Sequence, residues 1–129
     1  MAISVVRLGS PRGKDEGTRV GTVRRPPRGV RKTDYARLDF YDVWLPQLAP
    51  SAKLVSWIQK SPDKASSWKQ FERQYTREMS TPDNARLLDF LVALSRQTNF
   101  SIGCFCEDES KCHRSILRKL LEKRGASLR

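Results

Sequence analysis

The residues best suited to chemistry in this 129-residue chain are concentrated in one short segment, residues 102–114. The segment contains all three cysteines of the chain, Cys104, Cys106 and Cys112, and its only histidine, His113. The thiolate is the nucleophilic form of cysteine, and nearby cations or a helix N-terminus lower the pKa at which it forms. The spacing therefore predicts a thiol-bearing site near the end of the chain.

Three kinds of chemistry fit this cluster, and the sequence leaves all three open. In the first, Cys112 is a nucleophile or redox thiol and His113 is its base. Cys104 or Cys106 would then be a resolving thiol. In the second, the three sulfurs and the imidazole form a tetrahedral zinc site. In the third, Arg114 and the free backbone amides of the last helix bind an anion.

Zinc is the least favoured of the three, and we predict neither a metal nor another cofactor. Side chains that are neighbours in sequence, such as Cys112 and His113, point about 100° apart on a helix with ~3.6 residues per turn. The common CxxC spacing of zinc sites is also missing. A further interpretation gives Cys104 no chemical role, because cysteines in buried strands are commonly plain core residues.

Positive charge is the strongest feature of the composition. The chain carries 25 Lys and Arg against 14 Asp and Glu, a net charge of +11, and the basic excess is concentrated in the N-terminal third. Such a charge attracts anions at long range, although it also serves solubility alone. We predict a small anionic or nucleotide-type ligand bound by Arg114, Arg28 and Arg7, with Arg24 and Arg25 as further loop arginines. The alternative is a non-catalytic module that holds nucleic acid on a basic surface.

The hydrophobic pattern predicts strands at both ends of the chain and helices between them. Apolar β-branched runs indicate strands, and apolar residues three and four apart indicate helices. The predicted strands are 3–8, 19–23 and 100–105, and the predicted helices begin at Ser51, Asp63, Thr81 and Ser110. We therefore predict a single α/β domain over residues 1–129, with a mostly parallel sheet flanked by helices. The cysteine segment then lies where the last strand meets the last helix, the usual ligand crevice of such sheets.

Several classes of protein are disfavoured. No apolar run approaches the ~18 residues of a membrane span, and the first residues lack the pattern of a secretory leader. Three cysteines are too few for a disulfide framework. A reducing, cytoplasmic compartment is the simplest expectation.

Several motifs together resemble the YeaO-like group of the domain-of-unknown-function family 488. They are residues 7–13 (RLGSPRG), 27–32 (PRGVRK), 44–51 (WLPQLAPS), the aromatic pattern Trp68-x-x-Phe71-x-x-x-Tyr75, and the terminal Cys104…Cys112-His113-Arg114. The resemblance covers nearly the whole chain and implies a compact cytoplasmic α/β domain without implying a particular reaction. The chain departs from the pattern at residues 23–29, which read VRRPPRG where relatives tend to read DRLWPRG.

Overall fold

One parallel sheet organises the computed structural model, which describes residues 1–129. Its strands are β1 (Ile3–Arg7), β2 (Thr18–Gly21), β3 (Val43–Trp44) and β4 (Phe100–Cys104). Their spatial order is β1-β4-β2-β3, and every pairing is parallel. The last strand along the chain therefore lies inside the sheet, between β1 and β2. All five residues of β4 are buried, as expected for an apolar strand with neighbours on both sides.

Four helices pack against this sheet. They are α1 (Ala52–Lys60), α2 (Lys64–Met79), α3 (Pro82–Ser95) and α4 (His113–Lys123). Ser51 caps α1 by accepting a hydrogen bond from the Leu54 amide at 3.2 Å, and Asp63 caps α2 through the Ser66 amide. The prediction of an α/β fold with a parallel sheet and flanking helices is confirmed.

The start of the last helix was predicted too early. α4 begins at His113 and not at Ser110, because residues 109–111 form a separate 3-10 turn. The Asp108 carboxylate accepts a hydrogen bond from the Ser110 amide at 2.9 Å and so fixes this tighter turn. Cys112 then adopts an extended conformation and becomes the N-cap residue of α4. The prediction was right at the other end, where Gly125 follows the helix with a positive φ of 91°.

Strand boundaries were also predicted slightly too long. The second strand ends at Gly21 and the last at Cys104, whereas the sequence placed their ends at Val23 and Phe105. Gly21 weakened the prediction of the second strand, and packing explains why a glycine is present there. A Cβ atom at this position would lie 2.4 Å from the ring of Tyr41, so the ring can cover the strand only where a side chain is missing.

A buried ion pair fastens the N-terminal loops to the centre of the sheet. The guanidinium of Arg19, which has no solvent exposure, donates to the Glu16 carboxylate at 2.7 and 2.9 Å. It also donates to the backbone carbonyls of Ser10 and Asp39. Glu16 in turn accepts a hydrogen bond of 2.6 Å from the Ser101 hydroxyl on β4. Every charge in this network therefore has partners, which burial of an ion pair requires.

None of the helices is both long and apolar enough to cross a bilayer.

The Glu16 network predicts a loss of stability in acid. Burial alone would raise the pKa of Glu16, but hydrogen bonds from Arg19 and Ser101 lower it to about 2. A carboxyl whose pKa is lower in the folded chain stabilises it above the unfolded pKa and loses that effect as the pH falls. We expect this group to contribute on the order of 3 kcal/mol to the free energy of unfolding at neutral pH, lost between about pH 5 and pH 2.

Urea unfolding measured across this pH range tests the expectation. Glu16→Gln should remove that part of the acid-induced decline. Asp89→Asn, which removes an exposed ion pair with Arg124, is the matched control and should retain it. An equally steep decline in Glu16→Gln would contradict the assignment.

Candidate functional site

Three sulfur atoms converge where β4 leaves the sheet. Cys104 is the last residue of β4, Cys106 lies in the following loop, and Cys112 is the N-cap of α4. Their Sγ atoms all lie within 4.8 Å of one another, and those of Cys104 and Cys106 are 3.8 Å apart. All three are free thiols, of which Cys104 and Cys112 are buried and Cys106 is exposed.

The imidazole of His113 is oriented by the end of the neighbouring strand. Its Nε2 lies 2.8 Å from the carbonyl oxygen of Thr22 and 3.1 Å from the Thr22 hydroxyl, which itself donates to the Gly103 carbonyl. A carbonyl oxygen can only accept, so Nε2 carries a hydrogen. Nδ1 is then left to face the Cys112 sulfur at 3.7 Å. The ring also packs edge-on against Tyr75, which leaves it little freedom to rotate.

The three thiols have unequal tendencies to ionise. Hydrogen bonds from Cys104 and then Cys106, together with His113, lower the pKa of Cys112 strongly against the opposing effect of burial. Hydrogen bonds with the two other cysteines and burial raise the pKa of Cys104. The pKa of Cys106 is also raised: its contact with Cys104 favours ionisation, but its contact with Cys112 and its partial burial outweigh that. The cluster therefore favours one thiolate, at Cys112, stabilised by neighbouring S–H donors.

A cavity of about 680 Å³ opens beside the sulfurs. All three cysteines and His113 lie in its wall, and so do apolar side chains of α1 and α2. No aspartate or glutamate lines it, whereas five basic residues do: Arg24, Arg25, Arg28, Lys64 and Lys111.

The five basic residues of the cavity lack acidic partners. None of them forms an ion pair anywhere in the structure. Arg24 is held in place by hydrogen bonds to the carbonyls of Pro50 and Ala49, which precede α1. Arg25 and Arg28 follow it in the exposed loop after β2. The cavity is therefore positively charged, and its charge is not neutralised by the protein.

Two of the arginines predicted to bind an anion lie outside this cavity wall. Arg114 is 3% exposed, and its guanidinium donates to the carbonyls of Val6 at 2.6 Å and Cys106 at 2.5 Å. Arg7 donates to the Phe105 carbonyl at 3.3 Å. Both side chains thus hold the loop that carries Cys106. Arg28 lies in the same cavity wall as Cys104, Cys112 and His113. Arg114 and Arg7 do not line this cavity.

The three cysteines are also the residues that could hold a metal ion. Zinc–sulfur bonds of ~2.3 Å in a tetrahedral site separate the sulfurs by about 3.8 Å. The Cys104–Cys106 distance of 3.8 Å is compatible with that spacing. The cluster can hold either a thiophilic metal ion or a free thiolate. The metal content of the protein distinguishes these two states.

Two residues of the site were not foreseen. Thr22 orients the imidazole, but its role depends on β2 lying next to β4, which no local pattern reveals. Lys64 begins α2 and reaches the cavity because α2 follows α1 closely. Nothing in the sequence distinguishes it from an ordinary surface lysine, and Asp63 directly precedes it.

The sulfur contacts predict a change in Cys112 when Cys104 is altered. Cys104→Ala removes an S–H donor and should raise the pKa of Cys112, because this contact is the largest of those that lower it. Cys104→Ser keeps a hydroxyl donor and should retain most of the lowering. The measurement is the pH dependence of alkylation by iodoacetamide, with the modified cysteine located by peptide mass spectrometry. Identical profiles for both variants and the native chain would contradict the proposed donor.

Sequence comparisons agree with the resemblance at the level of the family. Neither the curated proteins nor the solved structures include a match. A family described as the active DUF488-N3 subclade matches residues 3–125, which extend from β1 to the glycine after α4 and include the whole sulfur cluster. The narrower YeaO-like grouping stays a prediction. The match spans nearly the entire chain, and the protein therefore belongs to the DUF488-N3a family.

Proposed function

We propose that the protein binds a small organic anion in the basic cavity and acts on it through the thiolate of Cys112. One observation carries the proposal. The same hollow brings together five basic side chains without acidic partners and the one cysteine of the cluster whose thiolate is favoured. Clustered positive charge attracts an anion and also favours a thiolate, so the two features support each other.

The size and lining of the cavity favour a ligand that is more than a bare inorganic ion. Its volume of about 680 Å³ falls within the range of ~300–1,000 Å³ typical of small-molecule sites. Val55, Ile58 and Phe71 contribute apolar side chains to the same cavity wall as the basic loop. A ligand with an anionic group and an apolar portion, such as a nucleotide or an acidic peptide-like molecule, matches both surfaces.

In this proposal the residues of the cluster have distinct roles. Cys112 is the nucleophile, and Nδ1 of His113 faces its sulfur as the base while Thr22 keeps the ring in place. Cys104 is a positioning residue that donates a hydrogen bond to the thiolate. Arg28 and the other basic residues of the cavity bind the anion. Arg114 acts indirectly, because it holds the backbone of the loop that carries Cys106.

A reducing compartment belongs to the same proposal, because the mechanism requires free thiols, and the three cysteines are unpaired. A cytoplasmic location would provide it.

Alkylation by a matched pair of reagents tests the proposal. Iodoacetate is an anion and iodoacetamide is its neutral counterpart, and both modify thiolates. We expect Cys112 to prefer iodoacetate by on the order of tenfold relative to a small free thiol in the same buffer. Added salt should reduce the preference, since it screens the basic residues.

Charge variants show whether the cavity causes the preference. Arg28→Gln should lower the ratio of the two rates. Arg37→Gln removes the same charge from a side chain that is 68% exposed and outside the cavity, and it should leave the ratio unchanged. Equal ratios in the two variants would contradict the proposal. So would stoichiometric zinc in protein purified without a chelator, because the metal would occupy the thiols.

Binding of nucleic acid on the basic surface is the alternative function. Its mark is affinity for mixed-sequence DNA or RNA that falls steeply as salt rises. Protection of Cys112 by mononucleotides but not by long polymers supports the cavity, whereas protection by polymers alone supports the alternative.

A further inference from the structure

The sulfur cluster contains more thiols than a single nucleophile needs. Cys112 has the favoured thiolate but is only 3% exposed, so that it is reached through the cavity. Cys106 also lines the cavity but is exposed, and it begins the loop that leads to Cys112. Their sulfurs lie within 4.8 Å of each other. Two free thiols in one cavity, one beside the His113 imidazole and one exposed, form the arrangement that thiol–disulfide exchange requires.

We infer that the substrate is a low-molecular-weight disulfide that carries anionic groups, with Cys112 as the attacking thiol and Cys106 as the resolving thiol. This inference rests on the proposed thiolate function of Cys112 and names the class of molecule on which it acts. The cavity supplies both recognition elements: unpaired basic side chains for the anionic groups, and two cysteines for the disulfide.

The reaction balances without any further reactant. The Cys112 thiolate attacks one sulfur of the substrate, its S–S bond breaks, and one substrate thiolate leaves with a mixed disulfide remaining on Cys112. Cys106 then attacks the Cys112 sulfur, the bond between Cys112 and the substrate breaks, and the Cys106 proton passes to the departing substrate sulfur. The second substrate thiol is released, and the Cys106–Cys112 disulfide forms. The substrate is reduced to two thiols, and the two protein thiols are oxidised.

Cys106 suits the second step better than Cys104. Cys104 belongs to β4, whose backbone is hydrogen-bonded on both sides, and its sulfur is buried. Any shift of its backbone toward Cys112, to bring the sulfurs to the ~2.05 Å of a disulfide, would break those ladders. Cys106 lies in a loop outside the sheet, and its side chain is exposed. The Arg114 hydrogen bond to the Cys106 carbonyl keeps this thiol near the cavity.

The loop itself supports the assignment. The five residues between Cys106 and Cys112 include the 3-10 turn, which the bidentate Arg118–Glu109 pair fastens to α4 at 2.7 and 3.0 Å. The loop thus returns the chain to the sulfurs, and Cys106, Lys111 and Cys112 all contribute to the cavity wall.

The experiment uses the full chain, reduced and freed of metal, and three disulfide probes. Oxidised glutathione is anionic, hydroxyethyl disulfide is neutral and cystamine is cationic. We expect the rate of protein oxidation to fall in that order, with a difference on the order of tenfold between the first and the last at low salt. Intact-protein and peptide mass spectrometry should identify a Cys106–Cys112 disulfide as the product.

Variants of single cysteines separate the two steps. Cys106→Ser and Cys106→Ala should accumulate a mixed disulfide with glutathione on Cys112, because the resolving thiol is missing. Cys104→Ser should still form the Cys106–Cys112 disulfide. Cys112→Ser should form no mixed disulfide at an enhanced rate. Resolution in the Cys106 variants at the native rate, or a preference for cystamine, overturns the inference.

The alkylation assay distinguishes failure of this inference from failure of the proposed function. If Cys112 prefers iodoacetate but glutathione disulfide gives no exchange, the inference is overturned and the anion-binding thiolate stands. If neither preference nor exchange is found, both are overturned.

Discussion

The position of β4 between β1 and β2 is the constraint on which the site depends. Because all three strands run in parallel, their carboxyl ends meet at one edge of the sheet. The ladders continue past the strands, where the amides of Leu8 and Thr22 donate to the carbonyls of Cys104 and Gly103 at 2.9 Å. Backbone hydrogen bonds thus join the ends of β1, β2 and β4, which are far apart in sequence. Without this register, neither the imidazole nor the basic loop after β2 would reach the sulfurs.

A thiolate in a partly buried cluster needs compensation for the water it loses. Burial opposes the charge on Cys112, and the contacts with Cys104, Cys106 and His113 outweigh it. Each of these contacts comes from a different structural element: the end of β4, the loop and the first residue of α4. The cavity adds basic side chains at longer range. The charge state of the Cys112 sulfur therefore depends on the assembly of this whole edge of the sheet.

Sequence reasoning found the elements because their patterns are local. The apolar stripe of α2, with Phe71, Tyr75 and Met79 buried, follows from spacings of four residues. It also found the cysteine segment, because residue types and spacing are visible in one dimension. It missed Thr22 and Lys64, whose roles depend on strand order and on the packing of helices that are distant along the chain. It placed the start of α4 too early because a side-chain cap by Asp108 competes with the helix over a single turn.

The arginines show why residue type alone does not identify a ligand-binding group. Arg19 and Arg114 are fully or almost fully buried. Backbone carbonyls or a carboxylate accept from all three guanidinium nitrogens of Arg19 and from both Nη atoms of Arg114. Their charge is used within the protein, where an Arg fork can bridge several acceptors that a lysine could not reach together. Arg25 and Arg28 have the opposite environment, since they are exposed, unpaired and beside a cavity without acidic residues. Only charges of this second kind are available to an incoming anion. Part of the net charge of +11 thus maintains the fold, and the part at the cavity is not neutralised by acidic residues of the protein.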